Sequence, residues 1–307
     1  MQPPFLIYMK LVSKISRLLL GLLFIVSALL KCFSIDEFGL YIYSFEFFSY
    51  DFTSLLARVL ISFEFLLGVF ILSFSYIKLV NFTTLATVVF FSAFLLWRVL
   101  VGDENSCHCF GTFLEMDPKE SLLKNILILI LLALSWKVPQ KNIKKLILGT
   151  VVVAIPVAVF ALCPPDFFYR LVRDSDSDLI IEELTPQIQQ DSLSTGRKFL
   201  GFYSPYCPHC RNASLKASMM VVNNSLPVEN IHIYIMGYQE QRPDIEEFFQ
   251  TYGSGLNLSY TILEPITFIN ITSGTLPLYV LIEDGKFVKE YDYLSLNEEE
   301  VVRFLKP

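Results

Sequence analysis

Five apolar runs crowd the first 163 residues, and no other feature restricts the fold of this chain as strongly. They lie at about 15–33, 53–75, 82–101, 120–136 and 146–163. A run of roughly 20 apolar residues can cross the hydrocarbon layer as a helix, which satisfies its own backbone where lipid offers no partner. The fourth run is the shortest and contains Lys124. A soluble all-helical core is the alternative, but five such runs are more than one core needs. A mean hydropathy of +0.52 with only 18% charged residues also lies outside the range of ordinary soluble domains. Residues 11–33 are basic and then apolar, as in a cleaved signal. They end in ALLKCF, where lysine before cysteine makes a poor cleavage site, so the run is read as a membrane helix. The predicted architecture is an N-terminal all-α transmembrane bundle of about five spans over 1–163. An acidic tether and lead-in follow over 164–192, and an α/β domain over 193–307.

An odd number of spans puts the two ends on opposite faces. Lys10, Lys14, Arg17, Lys78, Lys137, Lys141, Lys144 and Lys145 fall on one face with no acidic residue among them. Asp36, Glu37, Glu46, Asp51, Asp103, Glu104, Glu115, Asp117 and Glu120 fall on the other, together with Lys31 and Lys119. The excess of Lys and Arg belongs in the cytoplasm, so the N-terminus is expected inside and everything after Cys163 outside. The setting this implies is a bacterial inner membrane, with the α/β domain on the periplasmic side. All six cysteines then land outside: Cys32, Cys107, Cys109, Cys163, Cys207 and Cys210. Disulfides persist there and not in the cytosol.

In the second half the informative stretch is Lys198–Cys210, KFLGFYSPYCPHC. Its apolar part reads as a buried strand, and Cys207 falls where the strand turns into a helix beginning near Pro208. At a helix N-terminus, unpaired amides and the helix dipole stabilise a thiolate. Cys210 is one turn further on and can close a disulfide, and His209 places a polar ring between the two. Residues 231–236 (IHIYIM) read as a second strand and Asp244–Tyr252 as a helix. Leu276-Pro277 precedes LYVLIEDGKFVKEYDYL, a hairpin turning at Asp284-Gly285, and Asn297–Leu305 reads as a last helix.

This order of elements resembles the thioredoxin superfamily over roughly residues 175–307, and CPHC is the tetrapeptide associated with DsbA-type disulfide oxidases. The resemblance implies that Pro277 is the cis-proline facing the dithiol, with Leu276 shaping the substrate contact. The chain departs from the family at Gly201, where thioredoxins carry a buried aspartate and DsbA a glutamate. How Cys210 loses its proton is therefore open. The first half resembles the MauE branch of the MauE/DoxX family through Arg17, Leu20, Gly21, Phe24, Ser27, Ala28, Lys31, Glu64 and a CxCFG loop, Cys107, Cys109, Phe110 and Gly111. That resemblance covers about residues 10–163 and implies a partner in periplasmic disulfide formation.

A disulfide between Cys107 and Cys109 closes a small strained ring, and strain raises its reduction potential. Cys107, His108 and Cys109 could instead ligate zinc, but no fourth ligand has suitable spacing, and no metal is expected. Cys32 and Cys163 flank the same outer surface, as a structural clamp or a second redox pair. Glu64 sits near mid-depth in span two, with Arg58 and Arg98 toward the outer ends of spans two and three. An intramembrane carboxylate either ties helices together or serves proton movement or a membrane quinone. Loop 34–52 reads as an aromatic interfacial belt. With net charge −6 and no basic patch, nucleic acid is not an expected partner. The expected partners are thiols or disulfides of exported proteins, membrane lipid and a quinone. The function expected is a membrane-bound thiol-disulfide oxidoreductase; the alternatives are a reductive thiol relay and a non-catalytic anchored assembly factor.

Overall fold

The structure is a computed structural model that describes residues 4–101, 116–140, 145–172 and 180–306. The chain divides into two compact units. The first holds residues 1–41 and 55–164, the second 42–54 and 165–307.

The first unit is helical. Its elements are α1 (Pro4–Phe33), α2 (Ile35–Tyr43), α3 (Tyr50–Ser73), α4 (Ile77–Val101), α5 (Pro118–Leu134) and α6 (Lys145–Leu162), with the ends of α2 and α3 reaching into the second unit. On α1 the buried side is made of Arg17, Leu20, Phe24, Ser27 and Ala28, while Leu18, Leu22, Val26 and Leu29 are exposed. Small and polar residues inside with large apolar ones outside is the pattern lipid selects, because helices there gain from close packing and not from hiding oil from water. Gly21 shows how close α1 and α3 come: a Cβ there would lie 2.6 Å from Leu72 and 3.1 Å from the Gly68 carbonyl. Leu20, Phe24, Leu67, Ile71, Val80, Val88, Ile128 and Leu132 form the shared core. The start of α5 is fixed by Pro118 and by a capping box in which Asp117 accepts from the Glu120 amide and Glu120 from the Asp117 amide.

Among the described residues, three helices are long and apolar enough to cross a membrane: Tyr8–Phe33, Tyr50–Ser73 and Ile77–Val101. α5 has 17 residues and carries Lys119, Glu120 and Lys124 in its first two turns. The described part of α6, Ile147–Leu162, is apolar but short. Arg17, expected as a surface charge, is fully buried. Its Nε donates to the Ile71 carbonyl at 2.9 Å and its Nη1 to Asn81 Oδ1 at 2.8 Å. The cation joins α1, α3 and α4, where these bonds replace part of the water it gives up.

The second unit is a five-stranded sheet with helices on both sides. Its strands are β1 (Arg197–Tyr203), β2 (Ile231–Met236), β3 (Ser259–Leu263), β4 (Leu278–Glu283) and β5 (Lys286–Asp292), in the order β3-β2-β1-β4-β5. β1, β2 and β3 run parallel, and β4 and β5 are antiparallel to their neighbours. The β4–β5 hairpin turns at Asp284 (φ 51°) and Gly285 (φ 73°), two successive left-handed residues of the kind a tight hairpin needs. Strand alternation sends Phe199 and Tyr203 to one core and Leu200 and Phe202 to the other. The first core packs against α9 (Pro208–Asn223) and α12 (Glu298–Leu305). The second packs against α8 (Ile181–Gln190) and α11 (Pro265–Thr272). α10 (Arg242–Tyr252) adds Ile245 and Phe248 to the first.

Several expectations are corrected here. The stretch read as a tether contains α7 (Asp166–Val172), and the lead-in element expected near residues 179–190 is α8; both belong to the second unit. β3 and α11 were not anticipated. Of loop 34–52, read as an interfacial belt, residues 42–52 group with the second unit, where Tyr43 and Tyr50 have polar partners while Phe47, Phe48 and Phe52 stay exposed. Glu298 accepts from the Tyr43 hydroxyl and from the Tyr50 amide, each at 2.6 Å. On α9 the buried face is Ala213, Lys216, Ala217, Met220 and Val221. Lys216 is drawn inward by Asp166 and by the Tyr293 carbonyl, each 3.0 Å away.

Candidate active site

β1 delivers the chain to Ser204, after which Pro205 and Tyr206 turn it into α9. The Cys207 amide donates to the Ser204 carbonyl at 3.2 Å, and the Cys210 amide to the Cys207 carbonyl at 3.0 Å. Cys207 is the N-cap residue of α9, extended at φ −89° and ψ 118°, with Pro208 at the first helical position. Proline suits that position because its missing N–H would have had no partner. Cys207 is half-buried, Cys210 fully buried, and Pro208 and His209 are exposed. Both sulfurs are free thiols. Burial pushes the Cys210 thiol well above the ordinary thiol range; the Ser204 backbone opposes this and the neighbouring Cys207 adds to it. The geometry therefore presents one accessible sulfur at a helix N-terminus and keeps the second one turn behind it.

Leu276 and the cis-bonded Pro277 lead into β4. Cys207 and Leu276 both pack against the core that contains Cys210. Tyr206 is exposed beside the dithiol, where its hydroxyl accepts from Gln241 Nε2 at 3.1 Å.

In the first unit Cys32, at the end of α1, and Cys163, just past α6, come together with their sulfurs 3.1 Å apart. Arg58 holds the Cys163 end, donating from Nε to the Cys163 carbonyl at 2.8 Å and from Nη2 to the Pro164 carbonyl at 2.7 Å. Glu64 pairs with Lys31 at 2.5 Å. It pairs with neither Arg58 nor Arg98, whose Nη1 donates to the Tyr41 hydroxyl at 2.8 Å. Sequence reasoning placed Lys31 on the outer face without giving it to Glu64; its position at the last turn of an apolar helix was the available signal. Lys31, Glu64 and Lys124 line a cavity of about 100 Å³ whose other walls include Phe24, Phe38, Phe91 and Phe94. Cys107, His108 and Cys109 lie outside the described residues.

Fold and site together define a helical unit with membrane-length apolar helices, fused to a thioredoxin-like unit that carries a dithiol at a helix N-terminus. Residues 9–138 match the family model of the methylamine utilisation protein MauE. Residues 9–138 are thus similar to MauE, and the second unit has a thioredoxin-like arrangement of strands and helices. It is 25% identical to protein TlpB of Flavobacterium psychrophilum over 341 aligned positions, covering 92% of this chain and 91% of that one. Among solved structures it is similar to a secreted Mycobacterium tuberculosis disulfide oxidoreductase homologous to E. coli DsbE. That match has 18% identity and a TM-score of 0.28, covering 38% of this chain and 84% of the other.

Proposed function

We propose that this protein is a membrane-anchored thiol-disulfide oxidoreductase that forms or reshuffles disulfides in exported proteins. The observation that carries the reading is the asymmetry of the CPHC pair. Cys207 is accessible at the N-terminus of α9, and Cys210 lies buried directly behind it. In the oxidising direction a substrate thiolate attacks the Cys207 sulfur of the Cys207–Cys210 disulfide, and Cys210 leaves as the thiolate. A second substrate thiol then attacks the mixed disulfide. The substrate leaves oxidised, and the two electrons stay on Cys207 and Cys210. Leu276 and Pro277 are assigned to substrate contact. Cys107 and Cys109 are assigned to re-oxidising the dithiol, with a membrane quinone as final acceptor. Five spans, a cytoplasmic N-terminus and a periplasmic thioredoxin-like unit complete the proposal.

The test is substrate trapping in the full chain. Cys210→Ala should accumulate mixed disulfides through Cys207, and Cys207→Ala should abolish them. Absence of any trapped species in Cys210→Ala would leave an anchored binding module instead of an enzyme.

A further inference from the structure

Tyr203 ends β1 three residues before the Tyr206–Cys207 step, and its ring is fully buried in the core that holds Cys210. The ring leans back along its own strand. A Cβ placed on Gly201 would meet Tyr203 Cζ and the Tyr203 hydroxyl at 2.9 Å each. Any side chain at 201 would therefore displace the phenol, and the glycine is what lets a hydroxyl occupy this place.

That hydroxyl makes no hydrogen bond of normal geometry among the described residues. Its polar neighbour Tyr279 already donates its own proton to the Ala213 carbonyl at 2.8 Å, and the two phenols share only a weak contact without normal hydrogen-bond geometry. Tyr234 and Tyr291 also lack a partner by the same standard, but each lies beside a carboxylate, Asp191 and Glu300 respectively. Beside Tyr203 the ionisable groups are Tyr279 and Cys210. A buried donor left without a well-placed acceptor is unfavourable and needs a reason.

The chemistry of the dithiol supplies one. When Cys210 attacks the mixed disulfide at Cys207, negative charge develops on a sulfur with no exposed surface, in a core of aromatic and aliphatic side chains. The Ser204 backbone is one donor to it. We propose that Tyr203 is a positioning residue for the resolving thiol, its hydroxyl providing a second donor, held only by the weak Tyr279 contact until Cys210 carries charge. This rests on the oxidoreductase reading above and adds to it the group that makes a thiolate tolerable where β1 offers no carboxylate.

The step can be isolated with glutathione as the probe. The Cys207–glutathione sulfur bond breaks and the Cys207–Cys210 bond forms. Two electrons leave on the glutathione sulfur, which takes the proton that Cys210 gives up. In the purified full chain in lipid, glutathione release is followed against pH after loading Cys207. Tyr203→Phe keeps the ring and removes only the donor, and it should slow release about ten-fold near neutral pH, the scale of a lost bond to a charged group. The rising limb of the pH profile should move to higher pH, while the rate of loading at Cys207 stays as in wild type. Thermal stability should be unchanged or higher, since a poorly partnered buried hydroxyl is gone; a purely structural role would lower it. Tyr279→Phe, which loses a formed bond, should do the reverse, lowering stability without moving the pH limb. Equal release rates for Tyr203→Phe and wild type at every pH overturn the inference. If wild-type Cys207 cannot be loaded at all, the oxidoreductase reading falls first and this inference with it.

Discussion

Replacing Asp166 by alanine should destabilise the thioredoxin-like unit far more than loss of a surface charge. Lys216 and Asp166 are 3% and 2% exposed and lie 3.0 Å apart. The ammonium also donates to the Tyr293 carbonyl at 3.0 Å and sits 3.8 Å from the centroid of the Tyr50 ring. Removing the carboxylate strands a lysine inside this cage. Breaking a buried pair by deleting one partner costs about 3–5 kcal/mol, against about 0–1 kcal/mol for an exposed pair. For a unit of this size each kcal/mol moves Tm by roughly 2–4 °C, so a fall of about 10 °C is expected. The assay is alkylation of fully buried Cys210 in the reduced full chain, read by mass spectrometry as temperature rises. Asp166→Leu combined with Lys216→Met removes both charges and should recover most of the loss, since an apolar pair of similar volume does not strand a charge. A shift under about 2 °C for Asp166→Ala, the scale of an exposed pair, would refute the reasoning.

Two further outcomes follow from buried polar contacts. Glu64→Lys should leave two ammonium groups facing each other in the first unit and reduce the yield of folded protein. The exchange Lys31→Glu with Glu64→Lys should restore it, and yields that never recover would mean the pair does not hold the helices. His232 is buried against Ser259 and Thr261, near Asp191, and burial holds its imidazole below the ordinary histidine range. An unfolded histidine titrates near ~6.5. The contribution is therefore fully present above that pH and is lost as pH falls toward the lower folded value, because the unfolded chain takes the proton first. His232→Gln should flatten the decline of Tm below neutral pH, whose slope from one proton is at most about 1.4 kcal/mol per unit. An unchanged decline would place the sensitivity elsewhere.

The parts legible in the sequence are those where local chemistry and tertiary role agree. The CPHC stretch couples an apolar strand to a proline-started helix, and Asp284-Gly285 can hardly be anything but a tight turn. α11 was hidden because PITFINIT is rich in β-branched and aromatic residues; Pro265 starts it, and Phe268 and Ile271 hold it against the sheet. β3 was hidden because SYTIL is a short edge strand with one fully buried residue, so alternation barely shows. Lys216 and Arg17 mislead a reading by charge, since each is buried by partners far away in sequence. In loop 34–52 the buried Tyr43 and Tyr50 could not be told from the exposed Phe47, Phe48 and Phe52, since tyrosines suit an interface and a polar-lined core equally well. The first unit's outward apolar face was readable from composition, but the pairing of Glu64 with Lys31 depends on helix packing that no window of sequence contains.

The two cysteine pairs among the described residues differ in what closing them does to the unfolded chain, and that assigns them different roles. Cys32 and Cys163 are 131 residues apart, with sulfurs in near contact. In the chain-entropy account, closing a loop of that size removes about 5 kcal/mol worth of denatured-state freedom, against about 2 kcal/mol for the short Cys207–Cys210 ring. The long closure should thus stabilise the fold against its denatured chain by about 3 kcal/mol more than the short one. The CPHC pair can be reduced and re-formed with little effect on the fold, as a cycling dithiol requires. The Cys32–Cys163 pair should behave as a clamp between the end of α1 and the end of α6. With each pair opened in turn and its state read by differential alkylation, opening Cys32–Cys163 should lower the Tm of the full chain clearly more than opening Cys207–Cys210. Equal losses of Tm, or a larger loss on opening Cys207–Cys210, would reverse the assignment.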